Sequence, residues 1–314
     1  MYYIGIDLGG MSVKAGLVDE EGRIVRKATC PTLVERGARP IVDDMARLCV
    51  DLIRDEGISE DEVKAIGVGL PGIEDPVTGH VPFCTNLYWH EVPVREWMNE
   101  TIKKPIFIGN DATVAGLAES VAGVSKGKSS SVFVTLGTGV GGGIVLGGKV
   151  YSGFHGVGSE IGHMITVSGG DECTCGNKGC WERYASAGAI IRRGREAAQA
   201  HPESKIYKDV DGKLEDVTAK IVIDAAKAGD ETAVKVFDDY VFHLCEGLVS
   251  IINLIDPEVI VLGGGVSHAG QFLLDAINKT LPGMVFYKTM PYADIALATL
   301  GNDAGIIGAA MLGK

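Results

Sequence analysis

Short apolar runs broken by glycine and acidic turns open the chain. Tyr2–Asp7 predicts a strand, Leu8–Met11 a turn, Ser12–Val18 a returning strand, Asp19–Gly22 a second turn and Arg23–Cys30 a third strand. The spacing then becomes helical: Ile41, Met45, Leu48 and Leu52 form one stripe between Pro40 and Asp55, and Gly57 supplies the stop. "VKAIGVGLPG" predicts a buried strand running into a loop. "KKPIFIGNDA" repeats that pattern and leads into a helix over Ala112–Val121.

A second meander follows, with "SSVFVTLG" as a strand, "TGVGG" as a glycine turn and "GIVLGGKVYSG" as a returning strand with its own turn. It has the grammar of "IGIDLGGMSVKAGLVDEEGRI", so the chain reads as two copies of one unit. Thr218 predicts the cap of a helix over Ala219–Ala228. "GDE" starts another whose stripe runs through Phe237, Val241, Leu244, Leu248 and Ile252 and ends near Asp256, ahead of Pro257. "EVIVLGGGVS" predicts a strand and glycine loop feeding a helix around Gln271–Thr280, and a last helix covers Ala304–Leu312. His201–Asp216, "HPESKIYKDVDGKLED", reads as the most loop-like stretch. The alternation predicts an α/β protein of two related domains. We place these at 1–120, the smaller, and 121–301, the larger and the one carrying the Cys173–Cys180 cluster, with the C-terminal helix at about 302–314 packing back on the first.

Composition narrows the function. The 29 basic and 41 acidic residues give a net charge of −12, the wrong sign for a nucleic acid or an anionic membrane. No stretch approaches the ~20 apolar residues of a membrane span and no basic leader precedes one, so a cytoplasmic protein is expected. That compartment disfavours structural disulfides. The 44 glycines fall in clusters, as where backbone must approach a ligand closely.

Three glycine loops and several polar side chains carry the candidate chemistry. Asp7 ends an apolar strand before Gly9-Gly10, where a carboxylate can hold Mg²⁺ through water and backbone amides can face phosphate oxygens; Lys14 on the return strand can reach the same phosphates. "LGTGVGGG" offers the hydroxyl of Thr138, and "LGGGV" at 262–266 has the strand–loop–helix setting of an adenosine cradle. Three such loops in one chain point to a nucleotide. Asp111 can cap the helix it opens, or accept the proton of an attacking hydroxyl. Asn110, both donor and acceptor, suits a neighbouring sugar hydroxyl. Cys173, Cys175 and Cys180 of "CTCGNKGC" leave one tetrahedral position that His163 of "GVGSEIGHM" can fill, a Cys₃His zinc set. An iron–sulfur cluster is the alternative; the spacing is not that of a thioredoxin-like C-x-x-C.

Together these segments resemble the ROK family of sugar kinases and related regulators. "DLGGMSVKAGLVD" is similar to its first phosphate motif, "GNDATVAGLAE" to its catalytic segment, "VTLGTGVGGGIVLGGKVYSGFHGVGSEIGH" to its signature and "CTCGNKGCWE" to its zinc motif. The resemblance implies two domains of the actin and hexokinase (ribonuclease H-like) ATPase fold with a cleft between them. It implies a homodimeric or homotetrameric, ATP-dependent hexose kinase, most often a glucokinase acting at O6. Asp111 would be the general base, and Gly72, Asn110, Glu160, His163 and Glu182 would surround the sugar. Asp7, Gly9, Gly10, Ser12, Lys14, Thr138, Gly139, Gly264 and Gly265 would surround Mg·ATP, and His163, Cys173, Cys175 and Cys180 would hold a structural zinc. Two positions depart from the pattern: Met11 stands where the family has threonine, and Thr113 where it often has asparagine. The rival readings are a kinase for another hexose or an N-acetylhexosamine, a sugar-sensing regulator, and an iron–sulfur activator ATPase. The expected regulator carries a DNA-binding module ahead of the first phosphate motif, for which Asp7 leaves no room.

Overall fold

The computed structural model describes residues 1–314. Strands β1 (Tyr2–Leu8), β2 (Ser12–Asp19) and β3 (Ile24–Pro31) form the expected antiparallel meander, with Asp7 paired to Lys14 and Lys14 to Thr29. Helix α1 (Ala38–Glu56) ends where predicted, at Gly57, whose φ of 73° is the left-handed conformation that glycine adopts without a steric cost. Strand β4 (Val63–Leu70) then runs parallel to β1, with Asp7 opposite Gly69.

A small antiparallel sheet that the periodicity did not disclose comes next: β5 (Ile73–Asp75), β6 (His80–Cys84) and β7 (Trp89–Val92), followed by α2 (Val94–Thr101). Its strands are three to five residues long, too short to show a period. Arg95 ties it down, donating to the carbonyls of Pro76, Val77 and Ile106 at 2.6–2.9 Å. Strand β8 (Ile106–Asn110) completes the sheet parallel to β4, with Asn110 opposite Leu70, and leads straight into α3 (Asp111–Ala122).

The second sheet repeats the first. It contains β9 (Ser130–Leu136), β10 (Val140–Leu146) and β11 (Lys149–Val150). The chain then passes through α4 (Glu182–Ala185), α5 (Ala187–Ala200), α6 (Lys205–Asp209), α7 (Ala219–Lys227) and α8 (Glu231–Ile255). Strand β12 (Val259–Gly263), α9 (Gln271–Thr280), β13 (Asp294–Leu297) and α10 (Ala304–Met311) close the chain. The strand orders are β3-β2-β1-β4-β8 and β11-β10-β9-β12-β13, the same topology twice. The repeat read from two glycine-turn hairpins is therefore a repeat of whole sheets, each followed by a helix, α3 or α10.

The loop-like reading of His201–Asp216 is corrected. Ser204 accepts the Tyr207 N–H and starts α6, Ile206 is fully buried, and Leu214–Asp216 forms a 3₁₀ turn. A serine cap and one anchoring isoleucine outweigh the polar composition around them. Thr218 caps α7 as predicted, α8 starts at "GDE" with Asp230 as its cap, and it ends at Asp256 with φ 51°.

Compactness divides the chain into two units, Met1–Phe133 with Gly143–Ser159 and Ala298–Lys314, and Val134–Gly142 with Glu160–Leu297. In the first, Ile4, Ile6 and Leu8 face a core shared with Ile41, Met45 and Leu52 of α1, while Tyr3 faces the opposite layer with Leu117 and Ile307. Helix α10 lies directly on backbone there. A β-carbon on Gly5 would stand 1.9 Å from Ile306 O, on Gly67 1.7 Å from Ala309 O, and on Gly308 1.7 Å from Val114 O. No helix is long and apolar enough to cross a membrane.

Because the neighbour at Gly67 is main chain, it cannot turn aside. Gly67→Ala should destabilise the protein by about 3 kcal/mol, the upper end for overpacking, read as a lowered urea midpoint. A loss below about 0.5 kcal/mol would mean that α10 is not seated on β4 as described.

Candidate active site and metal centre

In the first unit the polar candidates collect at the carboxyl ends of β1, β4 and β8, where α/β sheets place ligands. Asp7 ends β1, Gly72 follows β4, and Asn110-Asp111 ends β8. Asp7 and Asp111 are two strand spacings apart in the sheet, roughly 10 Å.

Burial raises the Asp7 carboxyl above its ordinary range, and Lys14, 3.5 Å away, opposes that shift. The turn beyond it is held by a residue that sequence reasoning missed. Fully buried Thr32 donates its hydroxyl to Gly9 O at 2.6 Å and its N–H to Met11 O at 3.1 Å. Only its place just after the strand partner of Ser12 could have marked it. A β-carbon on Gly10 would meet nothing within 4 Å, and Met11 is 91% exposed. Space is therefore open on the side where a phosphate would approach, and the Met11 departure introduces no clash within the fold.

Asn110 is the N-cap residue of α3. Its Oδ1 accepts from the N–H groups of Ala112 and Thr113 at 2.9 and 3.4 Å. Asp111 Oδ1 accepts the same Ala112 N–H at 2.7 Å, so Asp111 shares the capping considered for it while occupying the first helical position, where the helix dipole favours an anion. The cap also engages the Asn110 acceptor, while Nδ2 reaches Gly72 O at 3.3 Å. A second missed residue, Glu74, is buried and accepts the Asn110 N–H at 3.1 Å. Its signal was a carboxylate two places after "LPG".

Thr138, Gly139, Gly264, Gly265, Glu160, His163, Glu182 and the three cysteines belong to the second unit. Two glycine loops meet there: a β-carbon on Gly264 would stand 2.7 Å from the Leu136 backbone, whereas on Gly137 or Gly265 it would meet nothing within 4 Å.

The cysteine hairpin is shaped by its glycines. Gly179 has φ 83° and lies so close to Val167 that a β-carbon would be 1.7 Å from its carbonyl oxygen. Cys173 N–H donates to Asn177 O, Trp181 N–H to Met164 O, and Ile165 bridges Cys180. These bonds bring His163, Cys173, Cys175 and Cys180 together, with all four donor atoms within 4.8 Å of one another. Cys175 and Cys180 Sγ are 3.6 Å apart, and His163 Nδ1 is 3.7 Å from Cys173 Sγ. A tetrahedron with Zn–S bonds of about 2.3 Å has edges of roughly 3.8 Å, so the set fits a four-coordinate zinc closed to further ligands. The Asn177 N–H lowers the Cys175 thiol, whereas burial pushes Cys180 up to about 12. Trp181 anchors the hairpin, donating to His243 O at 2.8 Å and stacking against Gly247 of α8. Glu182 stands beside the cluster, with Oε1 3.0 Å from Cys173 Sγ.

The ROK family description matches residues 3–314. The chain belongs to the ROK family. A glucokinase of Halalkalibacterium halodurans is 37% identical over 100% of this chain and 95% of its own length. A ROK glucokinase of Streptomyces griseus, solved with glucose and AMPPNP, superposes with a TM-score of 0.81 at 35% identity, covering 99% of both chains. The xylose repressor of Bacillus subtilis is 26% identical over 98% of this chain and 75% of that protein. The mixed α/β architecture with its doubled sheet is that of the ROK and actin-like ATPases.

Two predictions follow from the charge and donor geometry. A carboxyl raised by burial favours the folded state only while protonated, so at neutral pH ionised Asp7 costs stability. Asp7→Asn should therefore keep or raise the melting temperature at pH 7.5 while weakening use of Mg·ATP. The stability gain should vanish below about pH 4, near the reference value of 3.8; a large drop at pH 7.5 would contradict it. Cys175→Ser removes one of the four candidate zinc donors, about a quarter of roughly 10–16 kcal/mol. Zinc affinity by competition with a chelator should fall at least ~100-fold, and unchanged affinity would show that Cys175 is not a ligand.

Proposed function

We propose that this chain is an ATP-dependent hexose kinase and that its preferred acceptor is glucose, phosphorylated at the 6-hydroxyl. The observation that carries the reading is Asp111, an acid held at the carboxyl end of β8 and the start of α3 in a chain that matches glucokinases along its whole length.

Phosphoryl transfer needs chiefly positioning and charge stabilisation. Asp111 accepts the proton of the attacking hydroxyl as the oxygen bonds to the γ-phosphorus and the bond to the β-phosphate oxygen breaks, leaving ADP. Asn110 offers its amide N–H to a sugar hydroxyl, since its oxygen serves the helix. Gly72, Glu160, His163 and Glu182 complete the sugar contacts. The backbone of Gly9, Gly10, Thr138, Gly139, Gly264 and Gly265 receives the nucleotide, with Ser12 and Lys14 at the phosphates. Mg²⁺, held through water by Asp7, would neutralise phosphate charge. His163 reaches the cysteine cluster through Nδ1, which leaves Nε2 for the sugar. Assembly as a homodimer or homotetramer belongs to the same reading.

The test is ADP formation from Mg·ATP across hexoses and N-acetylhexosamines, with Asp111→Asn alongside. Glucose should give the highest kcat/KM. The variant should lose at least ~10³-fold in kcat, within the range for a general base, with glucose affinity changed less than about threefold. Turnover confined to an acetamido sugar would replace glucose, and sugar binding without turnover would favour a regulator. A fully active variant would remove Asp111 from its role.

A further inference from the structure

The segments that flank the cysteine hairpin also clasp the phosphate loop Gly137–Val140. On one side Gly162, next to His163, is so close that a β-carbon would stand 2.0 Å from Val140 O. On the other, Ala187 N–H donates to Gly137 O at 2.8 Å, Gly188 would carry a β-carbon 3.0 Å from Thr138 O, and Glu182 Oε2 lies 2.5 Å from a β-carbon on Gly139. Three of these four contacts end on main chain, so the loop cannot move without moving the clasp. The two jaws are joined to each other by Trp181 N–H to Met164 O and by the Ile165–Cys180 bridge. His163 belongs to the first jaw and Cys180 opens the second, so a metal bound to both closes the clasp.

We propose that the metal cluster is coupled to nucleotide binding: by tying His163 to Cys180, zinc fixes Gly137–Val140 in the shape that accepts phosphates. Gly162 and Ala187 act as positioning residues for that loop. This rests on the kinase reading for the identity of the ligand, but the coupling follows from packing within one unit. Linkage makes the effect reciprocal: if zinc strengthens nucleotide binding, nucleotide must retain zinc by the same factor.

The experiment uses the zinc-loaded protein without sugar. Nucleotide binding is first measured by calorimetry with ADP and AMPPNP, and zinc affinity is then measured against a graded chelator with and without saturating nucleotide. We expect nucleotide to strengthen zinc retention at least ~5-fold, the lower end of typical coupling. Gly162→Ala, which drives a methyl group against the Val140 carbonyl, is loaded with zinc before the measurement. It should weaken AMPPNP binding about tenfold and shrink the nucleotide effect on zinc; Ala187→Pro, which removes the N–H bonded to Gly137, should do the same. Nucleotide binding with zinc retention unchanged would overturn the coupling and leave the kinase reading standing. Zinc-loaded protein that binds no nucleotide would overturn both.

Discussion

The first unit depends on the main-chain contact between α10 and the sheet. Gly5 on β1, Gly67 on β4 and Gly308 on the helix remove the side chains that would otherwise hold these backbones apart. The same helix reaches the backbone beside both acidic candidates of the unit. Gly305 lies against Asp7, where a β-carbon would be 2.6 Å from the carboxyl carbon, and Gly308 lies against Val114, one turn into the helix that Asp111 begins. Close-packed backbone transmits displacement rather than absorbing it, so the positions of Asp7 and Asp111 are set together.

Glu119 fastens the far end of that arrangement. It is fully buried on α3, and its carboxylate accepts from Val124 N–H, Thr299 N–H, Leu300 N–H and the Thr299 hydroxyl. A buried carboxylate is tolerated when its lone pairs are all used in this way. It pins α3 to the segment that leads into α10. In the second unit, Trp181, bonded to the His243 carbonyl of α8, fastens a stretch with little regular structure, and the Cys₃His set would fasten it further with a metal bound.

Much of this was legible in the sequence because it rests on local rules. Strand ends at Asp7 and Asn110, the stop at Gly57 and the helix starts at Thr218 and Asp230 are set by residues within a few positions of one another, and the four candidate metal donors lie within one stretch of eighteen residues, His163–Cys180. The doubled sheet was visible because both hairpins carry the same glycine punctuation. What escaped depends on distant partners. Thr32 matters only because β3 delivers it to the Gly9 turn, and Glu74 only because β5 delivers it to Asn110. The β5–β7 sheet is too short for periodicity, and its order comes from Arg95 reaching three carbonyls. That Asn110 and Asp111 share the Ala112 N–H at the start of α3 is a matter of one residue in helix phase, which spacing alone does not decide.

The claim that Asp111 serves transfer to a primary sugar hydroxyl is tested most directly by following the phosphorus itself. Phosphorus NMR of the protein with Mg·ATP and glucose should show the terminal ATP resonance replaced by a sugar 6-phosphate, with 6-deoxyglucose binding but giving no sugar phosphate. Phosphate appearing at another sugar position, or phosphorylation of 6-deoxyglucose, would contradict the account.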